Sequence, residues 1–240
     1  FVQSIEQDLW LRKKQDKRSM EKRAAQMGIT DPHGIKELTE LAIVNTARKI
    51  AQTPGWTVAD KFSRMVALYD DQVNLSHRTS QSILLQQYST PAPIGYLMGV
   101  FCGLDQLHQK GGYAFEPSAG NGLLTVAAKP ERVYVNEVDE LRRNHLRQQG
   151  FAHVWNRDAS MPFFDLQHHF MAVVTNPPFG QLDTAVNIQG YPIQTLEHLM
   201  AIYALDTMMA SGKAAIIIGG HTHWDNKGRI QAGKNRVFFN

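Results

Sequence analysis

The chain has 240 residues, of which 43% are hydrophobic and 20% are charged, and its formal net charge is +3. This length and composition exclude a fibrous or wholly disordered protein and predict one main domain with a smaller helical appendage. The single cysteine, Cys102, cannot form an internal disulfide. No apolar run approaches the roughly 20 residues of a membrane span, and no signal peptide is recognisable. We therefore expect a cytoplasmic protein without a membrane partner.

Positive charge is concentrated near the N-terminus. The acidic residues in this stretch, Asp16 and Glu21, are outnumbered by basic ones, which are Arg12, Lys13, Lys14, Lys17, Arg18, Lys22 and Arg23. Such a strip can hold the phosphates of a nucleic acid, because neutralising a polyanion releases its counterions. It can equally be the solvated face of a helix.

Helical patterns fill residues 1–85, which we take as an N-terminal region with a possible role in nucleic-acid contact. Asp31 and Pro32 are typical of a helix start, Pro54 and Gly55 of a helix end, and another helix is predicted to begin near Thr57.

Residues 86–240 are predicted to form an α/β domain. From about residue 111, short apolar runs alternate with helical stretches, which predicts a parallel sheet with helices on both faces. The predicted strands are 113–115, 133–135, 152–155, 171–175 and 214–218. The weakly patterned segments 180–191 and 219–235 are predicted to be loops.

A glycine-bearing motif follows the first predicted strand and is expected to open a helix near Leu123. Its sequence is Phe115-Glu116-Pro117-Ser118-Ala119-Gly120-Asn121-Gly122. Glycine at 120 and 122 lets the backbone turn sharply and approach a ligand closely. The Gly-Lys-Ser/Thr of a phosphate-binding loop and the third glycine of a dinucleotide site are both missing, so the loop favours a nucleoside ligand.

Acidic residues follow the next two predicted strands. Glu137 lies close to the offset of roughly 20 residues at which a carboxylate accepts ribose hydroxyls in doubly wound folds, and Asp139 could share that role. Glu137 could instead complement a helix N-terminus. Asp158 could accept a hydrogen bond from an adenine amino group or cap a helix.

A second motif, Asn176-Pro177-Pro178-Phe179, follows the fourth predicted strand. Its prolines fix φ and lack N–H donors, so the segment presents carbonyl oxygens and an amide in a stiff geometry. If Asn176 Oδ1 and the Pro177 carbonyl each accept an N–H of an exocyclic amine, the lone pair of that nitrogen is freed to attack a methyl donor. Phe179 would stack on the flat acceptor. The alternative is a proline-rich turn with a phenylalanine in the core.

In the order of its two motifs, the chain resembles the class I, S-adenosylmethionine-dependent amino-methyltransferases. It is most similar to the gamma-type N6-adenine DNA methyltransferases, in which a cofactor motif equivalent to Gln87-Tyr88-Ser89-Thr90-Pro91 precedes the glycine loop. It also resembles methyltransferases of phages and mobile elements associated with strawberry-notch-type helicases. The resemblance covers residues 86–220.

This resemblance implies a Rossmann-like sheet of order 3-2-1-4-5-7-6 and S-adenosylmethionine as cofactor. No metal is expected, because the histidines of the sequence have no Cys/His framework with zinc spacing. The residues implied at the methionine end of the cofactor or in the adjoining cofactor motifs are Tyr88, Thr90, Pro91, Glu116, Pro117, Ala119, Gly120 and Gly122. Glu137 is implied to hold the ribose and Asp158 the adenine. Asn176, Pro177, Pro178 and Phe179 are implied to hold the target base.

The implied partner is DNA with its target adenine flipped out of the stack. The chain ends at Asn240, which leaves little room for the terminal hairpin of the fold and none for a target-recognition domain, so additional domains or subunits are expected. Other acceptors with the same motif are guanine N2 or adenine N6 in RNA and glutamine in proteins. A non-catalytic subunit with this fold is a further alternative.

Overall fold

The computed structural model describes residues 1–73, 89–219, 224–230 and 233–239. In the first of these ranges the chain is helical, as the sequence predicts. Asp31 accepts hydrogen bonds from the backbone N–H groups of His33 and Gly34, and Thr57 forms a capping box with Asp60. Both predicted helix starts are thus confirmed. The helices are α1 (Val2–Trp10), α2 (Lys17–Gln26), α3 (Pro32–Ala51) and α4 (Val58–Asp71).

The sheet contains five strands. In chain order the strands of the described ranges are β1 (Ala114–Glu116), β2 (Val133–Asn136), β3 (His153–Trp155), β4 (Phe170–Thr175), β5 (Gln181–Ile188), β6 (Tyr191–Thr195) and β7 (Met208–Ile216). Those of the sheet stand in the order β3-β2-β1-β4-β7, and every neighbouring pair is parallel. The structure therefore has the α/β fold predicted from the sequence, and it is consistent with a Rossmann-like arrangement.

The remaining helices are α5 (Ala92–Phe101), α6 (Leu107–Lys110), α7 (Glu140–Gln148), α8 (Leu196–Leu205) and α9 (Lys234–Phe239). One continuous apolar core joins α1, α3, α4 and α5 to one face of the sheet, where Val133, Val135 and Val174 are buried. On the other face, Met200 and Ala204 of α8 pack with Phe115. Each face of the sheet is therefore covered by helices. In the described ranges, no helix is both long and apolar enough to cross a membrane.

The prediction of a loop over 180–191 is wrong, because β5 and β6 form an antiparallel hairpin there. Its turn places Gln189 and Gly190 at φ of 52° and 90°, a conformation that glycine adopts readily. This hairpin lies between β4 and β7 in the chain. Because β5 and β6 pair with each other and not with the sheet, the strand beside β4 is β7. The observed order, β3-β2-β1-β4-β7, therefore differs from the expected 3-2-1-4-5-7-6.

The helix expected near Leu123 is also wrong. Only a single 3₁₀ turn forms there, Leu123–Thr125. Pro130 lies five residues further on, and the residue before a proline is disfavoured in helical conformation. The turn packs closely against α5, where a Cβ on Gly99 would lie 2.9 Å from Ala127 Cβ.

Candidate functional site

A cavity of about 330 Å³ opens at the carboxyl ends of β1, β2, β3 and β4. Ligands bind at this edge in open α/β sheets, because the loops that follow the strands converge there. Most of the residues singled out in the sequence line it, namely Thr90, Glu116, Pro117, Ala119, Gly120, Glu137, Asp158, Asn176, Pro177 and Pro178. Gly122, Pro91 and Phe179 are not among the lining residues, and Tyr88 lies outside the described residues.

The glycine loop turns through left-handed backbone at both glycines, with φ of 55° at Gly120 and 92° at Gly122. The sharp turn expected from the sequence is confirmed. The two glycines serve different purposes, since Gly120 lines the cavity whereas a Cβ on Gly122 would lie 3.2 Å from Phe151 Cζ and 3.3 Å from Leu146 Cδ2. A side chain at position 122 would therefore be strained by its φ and tight against the residues beneath the loop.

Two buried carboxyl groups lie at the ends of β1 and β2. Glu137 Oε2 accepts a hydrogen bond of 2.7 Å from the backbone N–H of Gly120, and its Oε1 accepts one of 2.8 Å from that of Asp139. Glu116 is only 1% exposed, and its Oε2 has no hydrogen-bond partner among the described residues. Burial, and secondarily the nearby Glu137, raises the pKa of Glu116 well above its usual range, and burial also raises the pKa of Glu137.

The two aspartates have different surroundings. Asp139 caps α7 by accepting a hydrogen bond from the backbone N–H of Arg142 and does not line the cavity. Asp158 lines the cavity, and its Oδ1 accepts hydrogen bonds from the backbone N–H and the hydroxyl of Ser160. Of the two, Asp158 is the one placed to meet a ligand.

The second motif faces the glycine loop across the cavity. The hydroxyls of Ser118 and Thr175 lie 2.8 Å apart and join the loop after β1 to the residue before Asn176. Asn176 Nδ2 donates to Thr90 Oγ1 at 2.9 Å, whereas its Oδ1 is buried without a partner among the described residues. A buried unpaired acceptor costs about 1–3 kcal/mol, so this oxygen is a candidate acceptor for a ligand N–H.

Phe179 lies beside Gly219, where an added Cβ would come within 3.2 Å of its Cδ1. The residue after it is held by α8, because the backbone N–H of Gly180 donates to Glu197 Oε2 at 3.1 Å. The motif therefore leaves β4 along a fixed path.

A buried charged network that sequence reasoning missed supports the glycine loop from α3. Arg142 Nε donates to Glu37 Oε2 at 2.7 Å, and Asn121 Nδ2 donates to the same oxygen at 2.9 Å. Glu40 also lines the cavity, and its Oε2 lies 3.7 Å from Arg142 Nη2. Burial raises the pKa of Glu40. Burial alone would lower the pKa of Arg142, but the charges of Glu40 and Glu37 raise it. The signal available in the sequence was a pair of glutamates three positions apart, which places both on one face of the predicted helix.

Arg48, also on α3, holds the end of the same loop. Its guanidinium donates to the backbone carbonyls of Thr125 and Ala128 at 3.2 and 3.3 Å, and to the Thr125 hydroxyl at 3.1 Å. Burial lowers the pKa of Arg48 to about 10, so it remains charged at neutral pH. The N-terminal helices are in this way part of the support of the cavity.

The basic strip is partly neutralised. Arg12 pairs with Asp71, while Lys13 and Arg23 both pair with Asp8 at 3.1 and 2.7 Å. Exposed basic residues for which the described part of the chain offers no ion pair are Lys14, Arg18 and Lys22. The surplus of positive charge is therefore smaller than the sequence suggests.

No group of three His, Cys, Asp or Glu side chains in the described ranges is arranged to hold a metal ion.

Comparison with known proteins gives little further information. No protein-family model matches the chain, and no curated protein matches it. Among solved structures, the type IIG restriction endonuclease BpuSI is similar at 13% identity with a TM-score of 0.31. The match covers 62% of this chain and 26% of that chain. A likeness of this size does not by itself assign a function.

Proposed function

We propose that this chain transfers a methyl group from S-adenosylmethionine to the exocyclic N6 amine of adenine in DNA. The observation that carries the proposal is the meeting of the two motifs around one cavity, with the Ser118–Thr175 contact of 2.8 Å between them. The volume of this cavity falls in the range of about 300–1,000 Å³ that is typical of small-molecule sites.

The charges around the cavity fit a cationic cofactor. The acidic residues that line it are Glu40, Glu116, Glu137 and Asp158. Among the described residues the basic side chain in the lining is that of Arg142, which is already paired with Glu37. Carboxyl groups held away from water favour a positive partner, and S-adenosylmethionine carries a sulfonium and an ammonium group. The unpartnered Glu116 Oε2 is a further acceptor for such a ligand.

When bound, S-adenosylmethionine supplies an electrophilic methyl group. The residues of this chain bind the cofactor and orient it. Gly120 leaves room for close approach, Glu137 offers carboxylate oxygens to ribose hydroxyls, and Asp158 offers one to the adenine amine. We assign the methionine end to Thr90, Glu116, Pro117 and Ala119, which line the cavity, and to the neighbouring Pro91 and Gly122.

On the acceptor side, Asn176 Oδ1 and the Pro177 carbonyl accept the two N–H groups of the target amine, so that its lone pair is available for attack. As the nitrogen–methyl bond formed, the sulfur–methyl bond of the donor would break, and S-adenosylhomocysteine would leave as a neutral thioether. The methylated nitrogen is a strongly acidic ammonium and loses one proton to solvent, so no general base is required beforehand. Pro178 stiffens the segment, and Phe179 is the aromatic that we assign to stacking on the base.

Nucleic acid as the acceptor is supported by exposed basic residues near the N-terminus, which can hold phosphates. They are Lys14, between α1 and α2, and Arg18 and Lys22 of α2. Phosphate contacts position a duplex without reading its sequence. A target adenine in duplex DNA must leave the stack to reach the cavity, at a cost of a few kcal/mol.

The proposal is tested by incubating the protein with tritiated S-adenosylmethionine and, separately, DNA, RNA and protein acceptors, followed by nucleoside analysis of the labelled material. We expect label in DNA as N6-methyladenine. Label in RNA or protein alone would show that the acceptor is wrong, and an unlabelled result with all three would refute the activity.

A further inference from the structure

Thr90 and Asn176 reach the cavity from different parts of the fold. Thr90 precedes α5, whereas Asn176 follows β4, and both residues line the cavity. Asn176 Nδ2 donates to Thr90 Oγ1 at 2.9 Å, across 86 positions of the chain. This bond links the segment ahead of α5 to the acceptor motif.

The orientation of the Asn176 side chain matters because the two ends of an amide are chemically opposite. The oxygen only accepts hydrogen bonds and the NH₂ group only donates, while their shapes are nearly the same. A threonine hydroxyl can donate as well as accept, so the bond to Thr90 does not choose between the two ends of the amide but fixes where the amide lies in the cavity. In the structure the NH₂ group makes this bond, which leaves Oδ1 as the free acceptor.

Thr90 is itself held in place from both sides in the chain. The hydroxyl of Ser89 donates to Glu40 Oε2 at 3.1 Å, and Pro91 caps α5 with φ fixed at −59°. A short segment anchored at both ends can hold a partner side chain without a large loss of entropy.

We propose that Thr90 is a positioning residue, which holds the Asn176 side chain in place at the cavity wall, where Oδ1 accepts from the target amine. This inference rests on the proposed function. It gives Thr90 a role in the chemical step, in addition to the cofactor contact that the resemblance implies.

The test replaces Thr90 by Val, which keeps the shape of the side chain and removes the hydroxyl, and by Ser, which keeps the hydroxyl. For Thr90→Val we expect kcat to fall by about tenfold or more, the loss of roughly one hydrogen bond. The rate is measured at saturating cofactor and DNA, so that a weaker Kd for S-adenosylmethionine, which is determined separately, does not contribute to the fall. Thr90→Ser should restore most of kcat. Thr90→Ala gives the same information if the valine variant fails to fold.

A matched control is Thr46→Val in α3. Thr46 is also buried and donates to the Ala42 carbonyl at 2.8 Å, but it does not line the cavity. Its kcat should equal that of the wild type.

Two results would overturn the inference. The first is a Thr90→Val variant with wild-type kcat. If its Kd for S-adenosylmethionine were weaker, Thr90 would act in cofactor binding alone, and if the Kd were unchanged, Thr90 would act in neither step. The second is a Thr90→Ser variant as slow as Thr90→Val. A wild-type protein that binds no S-adenosylmethionine would instead refute the proposed function, and this inference with it.

Discussion

Asn121 donates a hydrogen bond of 2.9 Å to Glu37, across 84 positions of the chain. The Glu37 carboxylate is fully buried in α3 and also accepts two hydrogen bonds from Arg142, at 2.7 and 3.0 Å. Asn121 stands between the two glycines of the loop that lines the cavity. The shape of the glycine loop therefore depends on a helix that precedes it by some eighty residues.

Glu37→Ala should destabilise the protein strongly, because it leaves the buried Arg142 with a weaker set of partners and leaves Asn121 Nδ2 unpaired. Removing one partner of a buried ion pair typically costs about 3–5 kcal/mol of the free energy of unfolding. Urea unfolding followed by circular dichroism measures this loss.

The control is Glu21→Ala, which removes an exposed carboxylate 3.8 Å from Lys17. Exposed ion pairs contribute about 0–1 kcal/mol, so this variant should unfold close to the wild type. Equal effects of the two substitutions would contradict a supporting role for Glu37.

Asn176→Ala should abolish most methyl transfer and leave the affinity for S-adenosylmethionine nearly unchanged. Its Oδ1 is the buried acceptor that we assign to the target amine, whereas the cofactor is assigned to residues across the cavity. Losing a hydrogen bond that acts in the transition state costs about 10²-fold or more in kcat. Single-turnover rates and calorimetry on the same preparation separate the two effects, and wild-type turnover would remove Asn176 from the mechanism.

Gly120→Val should abolish cofactor binding, because a branched side chain would project from a cavity-lining residue at φ of 55°. Gly55→Val is the matched control. Gly55 has φ of 77°, but a Cβ there would meet nothing within 4 Å. Both variants carry the strain of left-handed backbone, about 1–2 kcal/mol, so a loss of affinity confined to Gly120→Val places the ligand at the loop. Retained binding would place the ligand elsewhere.

Glu116→Gln should make the ligand-free protein more stable at neutral pH and weaken cofactor binding. The pKa of Glu116 is raised in the folded state, so the folded protein binds more protons than the unfolded chain between the unfolded and folded pKa values. Stability from this group is therefore lost as pH rises from about 4.3, the ordinary glutamate pKa, through the raised pKa.

Glutamine carries no such proton linkage, and the stability gain of Glu116→Gln should grow with pH over that window and vanish near its lower end. Denaturant midpoints at several pH values measure it. A gain that is the same at every pH would mean that Glu116 titrates normally.

Much of the site could be predicted from the sequence because its parts are local. The strands were found from short apolar runs, and the glycine loop and acceptor motif follow strands directly, so their meeting at one sheet edge followed from parallel pairing. The hairpin β5–β6 was missed because few of its side chains are buried, which weakens the alternation that marks a strand.

The partners of Glu37, Glu40 and Thr90 could not be predicted, because each contact joins residues far apart in the chain. The positive charge of residues 12–23 is overestimated from the sequence for the same reason, because Asp71 pairs with Arg12 only in the folded chain. The packing of Gly122 against Phe151 and Leu146 could not be predicted either, because those side chains come from α7 and the loop after it.

The most direct test is titration calorimetry of the wild-type protein with S-adenosylmethionine. The account predicts saturable binding at one site per chain, which Gly120→Val eliminates and Asn176→Ala retains. Absence of binding by the wild-type protein, or binding that survives Gly120→Val, would contradict it.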